Sequence, residues 1–439
     1  MAAVVAIVGR PNVGKSTLFN RLTRSRTALV ADTPGVTRDR HYGRGRHGDK
    51  PFLVVDTGGL EIAADGVLAA AAHQTMFAVD EADVVLFVVD TRAGLTATDE
   101  ELARRLRRSH ERVIVCVNKA EGLTTDGAIA EFHALGLGRP FAISAEHGDG
   151  ITRLLDAALE GFAGALPEPR AKKYPTIAVI GRPNVGKSTL VNSILGSDRV
   201  VVFDKPGTTR DAISIDFQSG EQTYTLIDTA GVRHKGKVTE VLEKFSIIKT
   251  LQALDRSNVV LLVLDAVSGI TEQDAHLADY VVNAGRAVVI VVNKWDAATA
   301  EDRSSIKRGI ERRLGFLDFA DVRFVSALKG IGVRSLLTAS SQAYAGALTK
   351  MPTPRLTRVL RDAVARQAPP RRIGIRPKLR YAHQGGMNPP VVVIHGSALD
   401  RLPESYTRYL CNVFRTEFAL HGTPLRVRYK NSHNPYVDD

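Results

Sequence analysis

A nine-residue stretch that could bind phosphate occurs twice in this chain of 439 residues. The residues Gly-Arg-Pro-Asn-Val-Gly-Lys-Ser-Thr stand at 9–17 and again, unchanged, at 181–189. The glycines of such a loop let backbone N–H groups point at phosphate oxygens. Each copy follows a short apolar run and precedes a helix-like segment, which is the strand–loop–helix setting that the chemistry requires. The repeat therefore predicts two nucleotide-binding sites.

The residue types within each loop suggest their roles. Lys15 and Lys187 are predicted to contact the β- and γ-phosphates and to act in catalysis, and the hydroxyls of Ser16 and Ser188 to ligate Mg²⁺. The other loop residues are expected to surround the phosphates: Gly9, Asn12, Val13, Gly14 and Thr17 in the first copy, and Gly181, Asn184, Val185, Gly186 and Thr189 in the second.

A second motif keeps the offset of the loops, which is 172 residues (181 − 9). Asp56 and Asp228 each follow an apolar run and begin an Asp-x-x-Gly motif. Both carboxylates are expected to hold the Mg²⁺ shell. Gly59 and Gly231, which end the motifs, lie where a backbone N–H can meet the γ-phosphate.

The segment before the second strand supplies a pair of catalytic candidates. Thr37 and Thr209 are expected to ligate Mg²⁺ and to close over the γ-phosphate only in the GTP state. Leu60 and Val232 follow the Asp-x-x-Gly motifs, where many small GTPases have a water-orienting Gln. Neither side chain can orient water, so hydrolysis must depend on positioning and electrostatics from elsewhere.

Asn12 and Asn184 are open to two interpretations from the residues alone. Each side chain could supply an oxygen ligand to a monovalent cation beside the phosphates, which would make it a catalytic residue. The alternative is an asparagine that only stabilises the loop.

The base is predicted by a third motif. Asn293, Lys294 and Asp296 follow a buried apolar run, and the carboxylate of Asp296 can accept from guanine N1–H and the exocyclic amine. Adenine lacks this donor pair, so the motif selects GTP over ATP. The corresponding residues of the first copy are Asn118, Lys119 and Glu121. Further along each copy, a backbone amide of Ser144-Ala145 or Ser326-Ala327 is expected to contact the guanine carbonyl oxygen.

The first copy differs at the fourth position of this motif. Glu121 offers the same charge-assisted acceptor pair as an aspartate, on a stem one methylene longer. We expect guanine recognition to survive there with altered affinity; the alternative is a first site that no longer binds.

Continuous Val, Ile and Leu runs alternate with helical patterns in both copies, which predicts parallel strands buried on both faces. The fold class is therefore α/β, with two tandem P-loop domains whose mostly parallel sheets are flanked by helices and whose ligand loops lie at the carboxyl ends of the strands. The predicted division is a first GTPase domain at 1–165, a linker at 166–175, a second GTPase domain at 176–350 and a basic α+β domain at 351–439.

Charge and cysteine content restrict the partners and the compartment. The net charge is +12, and the segment after residue 351 holds fifteen Lys and Arg against six Asp and Glu, which suggests a small RNA-binding module. Cys116 and Cys411 have apolar neighbours and are predicted to be buried free thiols in a reducing cytoplasm. The apolar runs are too short to span a membrane.

These features together resemble the Der (EngA) family of bacterial ribosome-assembly GTPases. The resemblance rests on both phosphate loops, on PGVTRD and PGTTRD at 34–39 and 206–211, on NKWD, and on the C-terminal stretches at 375–390, 405–415 and 422–435. It implies GTP hydrolysis to GDP with Mg²⁺, a KH-like C-terminal domain, and association with the large ribosomal subunit and its rRNA. We expect a cytoplasmic monomer.

The resemblance also bears on the open questions. The chain also resembles the hydrophobic-substituted GTPases, which fits Leu60 and Val232. Potassium-assisted hydrolysis in related GTPases favours the cation role of Asn12 and Asn184. The KH-like domain has no evident G-x-x-G RNA loop. A GTPase partner in tRNA modification is the alternative function, although no extra catalytic constellation supports it. A binding scaffold with inactive sites is disfavoured by the intact lysines, serines and aspartates.

Overall fold

The structure is a computed structural model that describes residues 3–23, 29–31, 40–57, 79–162, 174–197, 200–202, 214–227, 247–371 and 376–431. The chain divides into two compact units, Met1–Ala171 and Lys172–Asp439. No helix in the described residues is long and apolar enough to cross a membrane.

The first unit is a helix-flanked sheet. Its strands are β1 (Ala3–Val8), β2 (Leu29–Ala31), β3 (Arg40–His47), β4 (Lys50–Asp56), β5 (Val84–Asp90), β6 (Val113–Asn118) and β7 (Phe141–Ala142). Its helices are α1 (Lys15–Thr23), α2 (Ala97–Ser109), α3 (Thr125–Ile129) and α4 (Ile151–Ala158), with a 3₁₀ turn at Glu131–Leu135. The described strands lie in the order β2-β3-β4-β1-β5-β6-β7.

The strands that lead to the predicted sites are parallel. β1 pairs in parallel with both β4 and β5, and β6 pairs in parallel with β5 and β7. Every residue of β1 and β5 is buried, because helices cover both faces of a central parallel sheet. The carboxyl ends of β1, β4, β5 and β6 consequently meet at one edge of the sheet.

The second unit repeats this sheet and adds a smaller domain. Its first sheet contains β8 (Thr176–Ile180), β9 (Val200–Val202), β10 (Ser214–Ser219), β11 (Gln222–Ile227), β12 (Val259–Asp265), β13 (Ala287–Asn293) and β14 (Asp321–Phe324). These described strands lie in the order β14-β13-β12-β8-β11-β10-β9. The helices are α5 (Lys187–Leu195), α6 (Ile247–Arg256), α7 (Glu272–Asn283), α8 (Ala300–Arg313) and α9 (Val333–Ala347), with a 3₁₀ turn at Gly315–Leu317.

The C-terminal domain is α+β. Helices α10 (Thr353–Arg366) and α11 (Glu404–Phe418) cover one face of a sheet made of β15 (Lys378–Gly386), β16 (Val391–Ser397) and β17 (Arg426–Asn431), with a 3₁₀ turn at Leu399–Arg401. The predicted helix faces supply its core, which includes the following buried residues: Leu356, Val359, Leu360, Tyr406, Leu410, Phe414 and Phe418.

The α/β class of the two repeats and the α+β class of the C-terminal domain are confirmed, but four antiparallel pairings in the two larger sheets were not predicted. β3 pairs antiparallel with β2 and β4, and β10 does so with β9 and β11. β3 has the polar sequence RHYGRGRH, and its Gly45 avoids a collision, since a Cβ there would lie 2.4 Å from the Phe52 ring on the neighbouring strand. Such a strand lacks the apolar run on which the sequence prediction depended.

The prediction for the two thiols needs one adjustment. Cys116 is a buried free thiol as predicted, whereas Cys411 is free but only half-buried. Burial raises the pKa of both thiols.

Candidate functional site

Both phosphate loops join a buried strand to the N-terminus of a helix. The first lies between Val8, which ends β1, and Lys15, which begins α1; the second lies between β8 and α5. Gly14 and Gly186 both have φ of +94°, in the left-handed region that favours glycine. A side chain at Gly14 would also collide with the Asn118 amide, so the glycine admits a close approach of two loops.

The two predicted phosphate-binding lysines make the same contact. Nζ of Lys15 donates to the carbonyl of Arg10 at 2.7 Å, and Nζ of Lys187 donates to the carbonyl of Arg182 at 2.9 Å. Each ammonium therefore lies across its own loop, in a position set by the loop backbone. Lys15 is buried and Lys187 is half-buried, and an ammonium beside helix N-terminal amides favours anionic ligands.

The predicted Mg²⁺ ligands of the first site are adjacent. Oγ of Ser16 donates to Oδ2 of Asp56 at 3.0 Å, and Asp56 is buried at the end of β4. Hydroxyl and carboxylate oxygens at this separation suit Mg²⁺, a hard cation that takes few protein ligands and keeps waters or phosphates for the rest. In the second unit Ser188 holds the same position at the start of α5, while Asp228 lies outside the described residues.

Asn118 and Asn293 tie the phosphate loop to the loop after the fifth parallel strand. Nδ2 of Asn118 donates to the Val13 carbonyl at 2.8 Å, and its Oδ1 accepts from the Ala145 amide at 2.9 Å.

Asn293 makes the equivalent bonds at 2.8 and 3.0 Å, to the Val185 carbonyl and from the Ala327 amide. The Ala145 and Ala327 amides, expected to face a guanine carbonyl, are thus engaged by these asparagines here. Ser144 and Ser326 are buried beside them.

We call these asparagine hydrogen bonds the first brace between the phosphate loop and the base motif. The lysines that follow the asparagines form a second brace. Lys119 has φ of 62°, and its Nζ donates to the Asn12 carbonyl at 3.1 Å and to Oδ2 of Asp90 at 2.6 Å. Lys294 repeats the pattern with the Asn184 carbonyl at 2.8 Å and Asp265 at 2.7 Å.

The second brace affects the pKa of the Asp265 carboxyl group. Burial alone would raise the pKa of Asp265, but the Lys294 hydrogen bond and the amides of Val267 and Ser268 outweigh it and lower that pKa. The carboxylate therefore remains ionised and fixes its lysine.

The base-recognition carboxylates have different neighbours in the two units. Glu121 forms an ion pair with Arg92, which follows β5. Asp296 pairs instead with Lys329, at 3.5 Å between Nζ and Oδ2, from the loop after β14. The residue at the position of Arg92 in the second unit (92 + 175) is Val267.

Both carboxylates are held ionised. A hydrogen bond from its own backbone amide lowers the pKa of Glu121 against the effect of burial, with Ser144 and Arg92 adding to it. For Asp296 the largest effect is the Ser326 hydroxyl, which lowers the pKa, followed by its own amide and Lys329. Both can act as charged acceptors near neutral pH.

Sequence reasoning missed a contact behind each phosphate loop. Nε of Arg10 donates to Oδ2 of Asp99 at 3.3 Å, and Arg182 pairs with Asp274 at the same distance. Asp99 and Asp274 are the third residues of α2 and α7, and both are fully buried. The signal was available, because both copies have an arginine in the loop and a Thr-x-x-Asp capping pattern at matching positions.

Several predicted site residues lie outside the described part of the chain. They are Thr37, Gly59, Leu60, Thr209, Asp228, Gly231 and Val232. The remaining predicted residues of each unit meet at the carboxyl edge of its sheet, around the phosphate loop.

Comparison with known proteins identifies this arrangement. A family model described as "50S ribosome-binding GTPase" matches residues 4–119 and 176–294, and so defines two GTPase domains. A second model, "KH-domain-like of EngA bacterial GTPase enzymes, C-terminal", matches residues 350–430.

Curated relatives extend over the whole chain. A GTPase Der of Chromobacterium violaceum is 59% identical over 440 residues, which cover 100% of this chain and 94% of that protein. A GTPase Der of Bordetella pertussis is 58% identical over 445 residues, covering 99% of each. The chain therefore belongs to the GTPase Der family and is a GTP-binding protein.

Solved structures match smaller parts. Aquifex aeolicus Era Y63A bound to GDP.AlF4⁻ is 24% identical, covers 47% of this chain and 75% of its own, and has a TM-score of 0.33. The G domain of the T. maritima FeoB iron transporter is 25% identical, covers 36% of this chain and 97% of its own, and has a TM-score of 0.31.

Proposed function

We propose that this chain is a GTP-hydrolysing switch with two active sites that associates with the large ribosomal subunit and acts in its maturation. The observation that carries the proposal is the brace from phosphate loop to base motif, which recurs bond for bond around Asn118 and Asn293. A basic KH-like domain in the same chain provides a surface for rRNA.

In this proposal each loop binds and orients the triphosphate. Lys15 and Lys187 contact the β- and γ-phosphates, while Glu121 and Asp296 accept from the guanine edge. Ser16 with Asp56, and Ser188 with Asp228, would hold Mg²⁺, which neutralises charge on the phosphates. Thr37 and Thr209 complete that shell in the GTP state.

The substitution of Gln by Leu60 and Val232 leaves the attacking water to be positioned by other groups. Asn12 and Asn184 support a monovalent-cation role, since both side chains are exposed beside their loops. Their backbones are left-handed, with φ of 65° and 64°, and their carbonyls are occupied by Lys119 and Lys294. Neither side-chain amide has a hydrogen-bond partner among the described residues, so each oxygen is available to K⁺.

Potassium dependence tests this role. Replacing KCl by NaCl at equal ionic strength should slow GTP turnover of the parent, and Asn12→Ala combined with Asn184→Ala should remove that difference. If the double variant retains the full potassium effect, the asparagines do not bind the activating cation.

The ribosomal part is tested by sedimentation with purified 50S particles in GDP, GTP and a non-hydrolysable GTP analogue. We expect nucleotide-dependent cosedimentation that Lys15→Ala and Lys187→Ala each alter. Equal sedimentation in every nucleotide state would contradict the switch. Unchanged GTP turnover by the doubly substituted protein would contradict the site assignment.

A further inference from the structure

The face of the C-terminal sheet opposite its helices carries a group of rings and two cations, of which Tyr381, Arg428 and Lys430 are exposed. We call it the ring–cation face, and it consists of Tyr381, His383, His395, Arg428 and Lys430. Helices α10 and α11 fill the opposite face of the same sheet with the domain core. The ring–cation face is therefore not needed to build that core.

Strand register brings these residues together. Tyr381 of β15 lies opposite His395 of β16, and His395 lies opposite Lys430 of β17. In the next row, Val393 separates His383 from Arg428. Residues directly opposite on neighbouring strands share a face of the sheet.

The rings are already arranged as a stack. The Tyr381 and His395 ring centroids are 4.4 Å apart with an angle of 7° between the planes, and the His383 centroid lies 5.1 Å from that of His395. Burial, with the nearby His383 and Lys430, lowers the pKa of His395. At neutral pH its imidazole is uncharged and can stay stacked on the phenol.

Tyr381 is the accessible member of this stack. Its side chain lies on the edge strand and 44% of the residue is exposed, which is unusual for a large aromatic residue. Arg428 and Lys430 are also exposed, and neither has an ion-pair partner among the described residues.

An exposed ring beside unpaired cations suits one class of ligand. Single-stranded nucleic acid offers flat bases that stack on aromatic rings and phosphates that attract Lys and Arg. The centre of a protein-docking face is depleted of charged residues, Lys included, whereas the exposed ring here shares its face with Arg428 and Lys430. This chemistry could also substitute for the G-x-x-G loop that the domain lacks.

We propose that the ring–cation face binds single-stranded RNA, with one unpaired base stacked on Tyr381 and flanking phosphates at Arg428 and Lys430. The inference deepens the proposed function, on which it rests for the choice of RNA as the partner.

The test uses the full chain and a short fluorescein-labelled oligouridine strand, with binding followed by anisotropy. Tyr381→Ala should weaken binding about tenfold, and Tyr381→Phe should restore it, because stacking needs the ring and not the hydroxyl. Lys430→Ala should reduce the slope of log affinity against log salt by about 0.7, the value for one phosphate contact on a single strand. Arg361→Ala, an exposed charge on α10, is the matched control and should leave both quantities unchanged.

Circular dichroism and thermal melting establish that each variant is folded. Photo-crosslinking with 4-thiouridine RNA gives a second measurement, and the crosslinked peptide should contain Tyr381. Parent protein that fails to bind the strand, or Tyr381→Ala protein that binds within twofold of the parent, overturns the inference. So does equal loss of binding in Tyr381→Phe and Tyr381→Ala.

The two proposals fail separately. If nucleotide-dependent cosedimentation with 50S particles is observed but Tyr381 does not affect oligouridine binding, only the RNA-binding role of the ring–cation face is contradicted. Tyr381-dependent RNA binding without any nucleotide-dependent cosedimentation removes the ribosomal switch and leaves the face intact.

Discussion

The two carboxylates that are predicted to recognise the base have different neighbours. Glu121 has a longer stem and is steadied from the β5 side by Arg92, whereas Asp296 is shorter and is steadied from the β14 side by Lys329. An extra methylene adds a rotatable bond, whose freedom the ion pair with Arg92 restricts. The proposed sites are therefore similar in acceptor charge and differ in the side from which the carboxylate is held.

Glu121→Gln should weaken GDP binding at the first site by about 10- to 100-fold, because one charge-assisted acceptor of the guanine donor pair is lost. The measurement is fluorescent-GDP titration in a Lys187→Ala background, which silences the second site. Glu160→Gln, an exposed acid at the end of α4, is the control. Affinity unchanged by Glu121→Gln would mean that this residue does not contact the base.

Asn118 is the residue whose role the sequence described least completely. Its place in an Asn-Lys-x-Glu motif predicts proximity to the base, but its bonds to Val13 and Ala145 join segments far apart in the chain. Spacing alone does not report which carbonyl a buried amide will reach. The chemistry of the motif stays a prediction, and its structural role could be seen only in the fold.

Asn118→Asp should destabilise the first unit by about 2–3 kcal/mol. The new carboxylate keeps an acceptor for the Ala145 amide but faces the Val13 carbonyl with a second acceptor, which leaves that carbonyl buried and unsatisfied. Urea unfolding measures the loss, and Asn293→Asp should show the same loss in the second unit. If the unfolding midpoint of Asn118→Asp matches that of the parent, the brace does not stabilise the fold.

At the scale of elements, α2 and α7 each connect a helix cap to a phosphate loop. The capping aspartate accepts a hydrogen bond from its own Thr and forms an ion pair with the loop arginine, so one carboxylate contacts both the start of the helix and the loop. The buried parallel strands followed from their continuous apolar runs. The antiparallel strands and this tertiary use of a local cap did not, because both depend on partners distant in sequence.

Asp274→Asn should change how stability depends on pH. Burial raises the pKa of Asp274, against its hydrogen bonds from Thr271, so the folded state takes up this proton at higher pH than the unfolded state. The parent should therefore gain unfolding free energy relative to the Asn variant as pH falls through that raised pKa, with the gain complete below the ordinary pKa of about 4. Urea unfolding between about pH 4 and pH 7 measures it. Parallel curves for the two proteins would refute the shift.

At the scale of the molecule, the C-terminal domain is hydrogen-bonded to the second GTPase domain. The Val288 amide of β13 donates to the Gly422 carbonyl at 2.7 Å, and the Gly422 amide donates to the Phe319 carbonyl at 2.9 Å. Gly422 has φ of +67°, and an added Cβ would lie 2.5 Å from the Cβ of Ala343 on α9. One glycine thus lets two domains meet through their backbones.

Gly422→Ala should lower the unfolding free energy of the second unit by about 2–3 kcal/mol, from left-handed strain and the collision with Ala343. Thermal melting of the full chain measures it. Gly315→Ala is the control, since a Cβ there would meet no atom within 4 Å. An unaffected melting profile for Gly422→Ala would show that the junction adapts at no cost.

The strand that takes part in this junction, β13, ends in the predicted base motif. Val288 and Asn293 lie five residues apart on β13, or about 16 Å along an extended strand that neighbours on both sides prevent from stretching. β13 therefore connects the proposed guanine site at one end to the C-terminal domain at the other. If one dye is attached to the second GTPase domain and one to the C-terminal domain, the energy transfer between them should stay constant as nucleotides are exchanged at the second site. A fragment cut after residue 350 would leave the Val288 amide without its acceptor, so the second GTPase domain is best studied with the C-terminal domain attached.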